Sequence, residues 1–169
     1  MKTLVIGGAR SGKSAAAESA LADAADVTYV ATGYPADHDA EWGARVARHL
    51  AHRPPSWTTV ETLDLAGVLA EQGGPVLVDC LTLWLSRILD RADAWESGAS
   101  IEPETSALVA ALGASTREVV IVTNEVGQGV VPASAAGRRF RDEMGLLNAA
   151  VAAECDDVLW CVAGRVVRL

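Results

Sequence analysis

Basic charge is scarce in this sequence, and lysine is the scarcest basic residue. The 169 residues include 14 lysines and arginines against 22 aspartates and glutamates, which gives a net charge of −8. General nucleic-acid binders need a basic face to neutralise phosphates, so this balance argues against that class of protein. Only Lys2 and Lys13 are lysines. Where a chain otherwise uses arginine, a lysine inside a glycine-rich motif, as Lys13 is, indicates a need for a compact ammonium group.

Long apolar runs and paired cysteines are also missing. No run approaches the ~18 apolar residues of a membrane-spanning helix, so no membrane span is expected. The first strand-like run starts at residue 3, so we expect no signal peptide. Cys80, Cys155 and Cys161 form no CxxC pair, and we expect reduced thiols in a cytoplasmic protein. With no internal repeat and half of its residues apolar, the chain is predicted to form one domain over residues 1–169.

The strongest motif is a glycine-rich loop directly behind the apolar run 3–6. It consists of Gly7, Gly8, Ala9, Arg10, Ser11, Gly12, Lys13 and Ser14, which fit the phosphate-binding pattern G-x-x-x-x-G-K-[ST]. Glycines allow a tight turn, so that backbone N–H groups and the start of the next helix point at phosphate oxygens. In this motif the Lys13 ammonium reaches the β- and γ-phosphates, and the Ser14 hydroxyl ligates Mg²⁺. A chance match is expected in about one in a hundred chains of this size, and a helical pattern at 15–22 further favours nucleotide binding.

A second signal is the acidic residue that ends the apolar run 75–79. Many buried strands end in aspartate, so this pattern alone is weak. Downstream of a phosphate-binding loop, however, it is typical of the aspartate that holds Mg²⁺ beside a nucleotide. We therefore favour Asp79 as a magnesium-binding residue.

Strand and helix patterns alternate along the rest of the chain. Strands are predicted at 3–6, 27–31, 57–60, 75–79, 119–123, 157–162 and 165–169. Helices are predicted at 15–22, 39–52, 64–72, 81–90, 104–115 and 138–154, with a flexible excursion at 91–103. This alternation predicts an α/β fold of the P-loop NTPase type, RecA-like, with a mainly parallel sheet covered by helices on both faces. Ligands of such sheets bind at the carboxyl ends of the strands, where the polar loop 124–129 also lies.

Six stretches together go beyond a general nucleotide-binding motif. They are 7–14, 29–32, 45–49 followed by Arg53 and Pro54, Trp57 with Glu61, 79–82, and 122–132. This series closely resembles the bifunctional cobinamide kinase/cobinamide-phosphate guanylyltransferase family of cobalamin biosynthesis. The resemblance extends from the first strand to the last, and its motifs are specific in combination.

The resemblance implies two reactions at one nucleotide site. In the first, the γ-phosphate of GTP or ATP is transferred to the aminopropanol hydroxyl of (adenosyl)cobinamide. In the second, a histidine attacks the α-phosphate of GTP, releases pyrophosphate and holds GMP, which cobinamide phosphate then accepts to give adenosylcobinamide-GDP. The family's nucleophile corresponds to His49. The implied partners are thus a nucleotide with Mg²⁺ and a corrinoid, either cobinamide or cobinamide phosphate.

The residues themselves are compatible with this chemistry but do not choose the nucleophile. A neutral imidazole can attack a phosphate near pH 7, and the phosphoramidate that forms transfers its group readily. His49 and His52 are about one helical turn apart and share a face, so spacing cannot separate them. Only the resemblance selects His49 and leaves His52 as a neighbour of the nucleotide.

The same resemblance assigns further residues to the GTP site, namely Ala31, Thr32, Gly33, Leu50, Ala51, His52, Arg53 and Glu61. Arg53 is suited to offset phosphate charge and Glu61 to accept hydrogen bonds from the base or ribose, although surface ion pairs are an equal alternative for both. The sequence has no Asn-Lys-x-Asp motif, so a guanine preference depends on the resemblance alone. The family also suggests a homo-oligomer, a ring-like trimer.

Other interpretations of the motifs stay open. A monofunctional P-loop kinase of a small molecule would transfer γ-phosphate and form no covalent nucleotide. A non-catalytic nucleotide-binding regulatory subunit would bind nucleotide without turning over cobinamide. The arginines at 138, 139 and 141 fit a phosphate contact, a subunit contact or a solvated helix face.

Overall fold

The computed structural model of the chain describes residues 1–35, 38, 43, 47 and 53–169. Its strands are β1 (Lys2–Gly7), β2 (Thr28–Ala31), β3 (Thr58–Glu61), β4 (Val76–Asp79), β5 (Val119–Asn124), β6 (Asp157–Val162) and β7 (Arg165–Arg168). They form a sheet in the order β3-β2-β4-β5-β1-β6-β7. Every pairing in that order is parallel except β6 with β7, which run antiparallel. The mainly parallel sheet predicted from the alternating pattern is confirmed.

Helices connect these strands. In the described part of the chain they are α1 (Lys13–Ala20), α2 (Leu65–Ala70), α3 (Leu81–Arg91), α4 (Ala94–Ser97), α5 (Glu102–Ala114) and α6 (Ala135–Ala153). Two of them begin at a side-chain cap: Asp64 accepts a hydrogen bond from the Gly67 N–H, and Ser134 accepts one from the Gly137 N–H. Such caps satisfy backbone donors that the first helical turn leaves unpaired.

The core lies on both faces of the sheet, because neighbouring residues of a strand point to opposite sides. Leu4 belongs to one buried cluster together with residues of α2, α3, α5 and α6. Val5, the next residue of β1, belongs to a second buried cluster together with Ala17 and Leu21 from α1 and its C-cap. A sheet buried on both faces explains why β5 is a continuous buried run over 119–123.

Two predicted segments between the strands have different outcomes. The helix predicted at 39–52 falls almost entirely on residues outside those that the structure describes. The flexible excursion predicted at 91–103 is wrong in part, because α4 lies within it and Ala94 and Ile101 are buried in the core. Buried anchors at both ends of a polar segment fix its path, whereas composition alone indicates only turns.

The parallel arrangement brings the carboxyl ends of six strands, β1 to β6, to the same edge of the sheet. Ala31 at the end of β2 is in register with Glu61 of β3 on one side and with Asp79 of β4 on the other. Gly7 at the end of β1 is in register with Asn124 of β5. Residues distant in sequence therefore converge at this carboxyl edge, which is where ligands bind in open α/β sheets.

Candidate active site

A cleft of about 330 Å³ opens at the carboxyl edge of the sheet. Nine of the sequence-predicted site residues line it: Ala9, Arg10, Lys13, Ser14, Ala31, Gly33, Arg53, Glu61 and Asp79. Seven other residues complete the lining: Tyr29, Tyr34, Thr59, Cys80, Thr82, Leu83 and Asn124. The volume lies in the range of small-molecule sites, which are typically ~300–1,000 Å³.

One wall of the cleft is the loop between β1 and α1, with a backbone shape that depends on glycine. Gly12 has φ 96° and caps α1, and a hydrogen bond of 3.0 Å joins the Ala16 N–H to its carbonyl. A Cβ on Gly7 would lie 2.5 Å from the Cys161 carbonyl oxygen and 2.6 Å from Ser11 Oγ. The loop can thus pass so close to β6 only with glycine at this position.

Two functional groups of this loop, Lys13 and Ser14, border the cleft. Lys13 Nζ donates to the carbonyl of Gly8 at 3.0 Å, so the ammonium lies over its own loop. Ser14 is in the first turn of α1 and borders the cleft. The turn between β6 and β7 supports the loop, because the Gly164 N–H donates to the Ser11 carbonyl at 3.1 Å.

Asp79 lies on the second wall of the cleft and is held by a tyrosine. The hydroxyl of Tyr29 donates to Asp79 Oδ2 at 2.6 Å. Tyr29 is only 2% exposed. Its burial, together with the adjacent Asp79 carboxylate, raises the pKa of the phenol far above its ordinary value. The sequence motifs assign this hydroxyl no role, although a tyrosine within an apolar strand is a signal that its polar end has a partner.

Thr32 supports the backbone behind Asp79. It is fully buried, its hydroxyl donates to the Cys80 carbonyl at 2.7 Å, and it accepts from the Cys80 N–H at 2.9 Å. The peptide bond between Asp79 and Cys80 is cis. Arg87 Nη1 of α3 donates to the Gly33 carbonyl at 2.7 Å, so the turn after β2 is held from two sides.

Arg53 stacks on the ring face of Tyr29. Its Cζ lies 3.2 Å from the centroid of the tyrosine ring, and Nη1 donates to Thr59 Oγ1 at 2.9 Å. Glu61, at the end of β3, borders the same cleft. The cleft therefore has a cationic group and a carboxylate on the side away from the phosphate-binding loop.

Four sequence-predicted site residues lie outside the described part of the chain: His49, Leu50, Ala51 and His52. Arg53 comes directly after them and lies in the cleft wall. His38, the remaining histidine, stacks on the ring of Tyr34 with centroids 4.7 Å apart.

The loop after β5 starts at the cleft and is secured at its base. The Asn124 N–H donates to Thr82 Oγ1 at 3.0 Å, and the Glu125 N–H donates to the Gly7 carbonyl at 3.2 Å. Asn148 of α6 donates to the Asn124 carbonyl at 3.0 Å. Farther along, Val130 is 95% exposed.

The arginines at the start of α6 contact this loop and its surroundings. Arg138 donates to the Ala133 carbonyl at 2.6 Å, and Arg141 donates to the Gly127 carbonyl. Arg139 donates to the Ala99 carbonyl and lies 3.7 Å from Glu143. All three side chains thus brace backbone carbonyls.

The oxygen atoms at the cleft suit magnesium. Ser14 supplies a hydroxyl and Asp79 a carboxylate, and both border the cleft. Mg²⁺ prefers oxygen ligands and is commonly held by one or two protein groups together with water and substrate phosphates. Among the described residues no cluster of three or more His, Cys, Asp or Glu side chains is placed to hold a metal.

The fold and the cleft together define a P-loop nucleotide-binding protein. The sequence model of the family described as cobinamide kinase / cobinamide phosphate guanyltransferase matches residues 3–169. The chain belongs to this family.

Relatives agree with that assignment. The chain is 43% identical to the bifunctional adenosylcobalamin biosynthesis protein CobP of Pseudomonas aeruginosa over 169 residues, covering 97% of this chain and 94% of the relative. It is 36% identical to the bifunctional adenosylcobalamin biosynthesis protein CobU of Salmonella typhimurium, covering 100% and 99% of the two chains. The resemblance seen in the six sequence stretches is confirmed.

Solved structures support the fold. The ATPase EscN of the enteropathogenic E. coli type III secretion system superposes with a TM-score of 0.62 at 14% identity, over 96% of this chain and 43% of EscN. A Pyrococcus horikoshii OT3 protein superposes with a TM-score of 0.53 at 9% identity, over 99% of this chain and 84% of that protein. At these identities the likeness concerns the fold alone, and it confirms the predicted RecA-like P-loop class. Among the described helices, none has the length and apolar character needed to cross a membrane.

Proposed function

We propose that this chain phosphorylates the aminopropanol hydroxyl of (adenosyl)cobinamide and then attaches GMP to the product, giving adenosylcobinamide-GDP. The observation that carries the proposal is the composition of the cleft. It combines a phosphate-binding loop, the Asp79 carboxylate and a far wall that ends at Arg53, directly after the two histidines at 49 and 52. Family membership over residues 3–169 supports the same conclusion.

In the first reaction the substrate hydroxyl oxygen attacks the γ-phosphorus of GTP or ATP. The bond between the γ-phosphorus and the bridging oxygen breaks, the nucleoside diphosphate leaves, and the hydroxyl proton is released. Backbone N–H groups of the loop 7–14 and the Lys13 ammonium would bind the phosphates and stabilise the charge of the transferring group. Ser14 and Asp79 would hold Mg²⁺, which when bound neutralises charge on the phosphates.

In the second reaction a ring nitrogen of His49 attacks the α-phosphorus of GTP. A P–N bond forms and pyrophosphate leaves, so that GMP is held as a phosphoramidate. A phosphate oxygen of cobinamide phosphate then attacks the same phosphorus, the P–N bond breaks, and the histidine is regenerated. Dividing the GMP transfer into two steps in this way lets GTP and cobinamide phosphate use one cleft in turn.

The remaining cleft residues would bind the nucleotide. Arg53 would offset phosphate charge, and Glu61 would accept hydrogen bonds from the base or the ribose. Ala31 and Gly33 would contact the nucleotide from the end of β2, with the buried Thr32 supporting the backbone between them, while Leu50, Ala51 and His52 would contact it beside the nucleophile.

The test is to incubate the pure protein with Mg²⁺ and GTP labelled at the α- or the γ-phosphate, followed by denaturing electrophoresis. We expect an α-label on the protein that survives alkali and is lost in acid, as a phosphoramidate is. His49→Ala should abolish this label while some phosphorylation of cobinamide remains, and His52→Ala serves as the matched control. Loss of the label only in His52→Ala would move the nucleophile by one helical turn.

Two other outcomes would favour the alternatives. Transfer of γ-phosphate without any covalent α-label would indicate a monofunctional kinase. Nucleotide binding without either transfer would indicate a non-catalytic subunit, and gel filtration with and without nucleotide would then test for a change of partner.

We further propose that the chain assembles as a homotrimer, as the family resemblance implies. Light scattering at working protein concentration would give the mass directly. A particle of the mass of one chain would contradict this proposal without affecting the assignment of the two reactions.

A further inference from the structure

Tyr29 joins two functional groups that come from different parts of the chain. It lies on β2, between the strand that ends at Glu61 and the strand that ends at Asp79. Its hydroxyl is 2.6 Å from Asp79 Oδ2, and its ring lies under the Arg53 guanidinium at 3.2 Å. The hydroxyl of Tyr29 therefore contacts Asp79, and the face of its ring contacts Arg53.

The hydroxyl contact fixes the orientation of Asp79. A carboxylate at a strand end rotates freely unless one of its oxygens is bound. A donor on Oδ2 selects one rotamer and leaves Oδ1 as the oxygen available to the cleft. Because the tyrosine side chain is buried in the core cluster with Val5 and Leu77, the donor itself is held in place.

The ring contact fixes the position of Arg53. A guanidinium over an aromatic face is attracted by the ring quadrupole. Arg53 Nε is buried and has no hydrogen-bond partner among the described residues, so the ring is a main support of that part of the side chain. Nη1 reaches Thr59 at 2.9 Å, which orients the plane of the group. This stacking anchors the chain immediately after residues 49–52 within the wall that also contains Asp79.

We propose that Tyr29 is a positioning residue for both reactions of the cleft: its hydroxyl orients Asp79 toward magnesium, and its ring holds Arg53 beside the nucleotide. This inference rests on the proposed function. One buried side chain thereby couples the geometry of phosphoryl transfer to that of nucleotidyl transfer. Removing the two contacts separately should affect different properties of the protein.

The hydroxyl is removed alone by Tyr29→Phe, which keeps the ring under Arg53. The half-saturating Mg²⁺ concentration for phosphorylation should rise about tenfold, the loss expected for one hydrogen bond to a charged group. At saturating Mg²⁺ the rate should recover to within about threefold, since both magnesium-binding side chains are still present. The rise in unfolding temperature produced by adding Mg²⁺ to the GDP complex should shrink in parallel, and this readout needs no turnover. Tyr34→Phe, which removes the other tyrosine hydroxyl of the cleft, should leave the Mg²⁺ midpoint unchanged because that hydroxyl binds Asp90.

Arg53→Gln gives the effect of losing the Arg53 cation itself, and Tyr29→Leu, compared with it and with Tyr29→Phe, tests the ring contact. The α-label on the protein should fall about tenfold at every Mg²⁺ concentration, while the Mg²⁺ midpoint stays at the wild-type value. Arg53→Lys should recover part of the label because a cation over the ring is retained. Tyr29→Leu, which removes both contacts, should show both defects.

The outcomes distinguish the inference from the function on which it rests. If the wild-type protein forms neither the α-label nor phosphorylated cobinamide, the proposed function fails. If the wild type performs both reactions but Tyr29→Phe leaves the Mg²⁺ midpoint unchanged, or Tyr29→Leu labels normally, the positioning role is overturned. A merely structural role would lower the unfolding temperature and both rates together, with no separation of the two variants.

Discussion

The two walls of the cleft are built in different ways. The wall formed by residues 7–14 is local: Lys13 contacts the carbonyl of Gly8, and Ala16 contacts that of Gly12. The opposite wall is assembled from separate segments, since Tyr29 binds Asp79 fifty residues away and stacks with Arg53. A continuous loop can provide phosphate binding by itself, whereas specificity for a base and a second substrate requires groups from several strands.

The largest effect should come from the functional group of the local wall. Lys13→Ala removes the ammonium that we propose binds the transferring phosphate, and γ-phosphoryl transfer should fall by ~10²–10³-fold. The rate is measured with cobinamide and labelled GTP at saturating Mg²⁺. Arg10→Ala is the matched control, because it removes another cation from the same loop and should cost far less. Rates in Lys13→Ala within about threefold of wild type would contradict the assignment of the loop.

Changing the shape of the local wall should have the next largest effect, on both stability and nucleotide binding. In Gly7→Ala the new Cβ would meet the Cys161 carbonyl oxygen at 2.5 Å, a backbone atom that cannot rotate away. We expect a loss of about 1–3 kcal/mol in the free energy of unfolding and weaker nucleotide binding. Gly8→Ala is the control for stability, because a Cβ there has no heavy atom within 4 Å. Equal urea midpoints for the two variants would show that the close approach of the loop to β6 does not make Gly7 necessary for stability.

These two walls also differ in how well the sequence predicts them. The loop 7–14 carries a contiguous motif, so the amino-acid sequence alone predicts its glycines, Lys13 and Ser14 as site residues. Asp79 is predicted only because it follows such a loop. The parallel sheet and its carboxyl edge follow from the alternation of strands and helices.

For the opposite wall, which is assembled from separate segments, the sequence predicts residues but not the contacts between them. The resemblance assigns Arg53 and Thr32 to the GTP site, but not the ring beneath Arg53 or the backbone contacts of Thr32. Contacts such as Thr32 with Cys80, 48 residues apart, depend on strand register, which periodicity does not provide. Tyr29 lies in the stretch 29–32 that matches the family, but the resemblance gives it no role. The role of its hydroxyl becomes visible only from its contact with Asp79 in the folded chain.

Stability should depend moderately on the backbone contacts of the opposite wall, which Thr32 makes. Thr32→Val keeps the shape of the side chain but leaves the buried Cys80 N–H without its acceptor. An unsatisfied buried donor costs about 1–3 kcal/mol, and we expect a loss of that size in unfolding free energy. Thr32→Ser retains the hydroxyl and loses one methyl group, for about 1 kcal/mol. Urea denaturation followed by tryptophan fluorescence compares them, and a more stable valine variant would show that the hydrogen bonds to Cys80 contribute little.

The smallest effect concerns the outer part of the same wall, where Tyr34 donates to Asp90. Partial burial, with the nearby Asp90 carboxylate, raises the pKa of Tyr34 from 10.0 to about 12. Because the folded-state pKa lies above the unfolded one, this stabilising contribution is complete below about pH 10 and is lost as the pH rises through about 12. The sequence has two tyrosines, and burial holds the pKa of Tyr29 higher still. Phenolate absorbance of the native protein should therefore first rise near pH 12 and come from one residue, and Tyr34→Phe should remove that step. A phenolate signal near pH 10 in the native protein would mean that Tyr34 is not held by Asp90, and that only the inner part of this wall, around Tyr29, is fixed in advance of substrate.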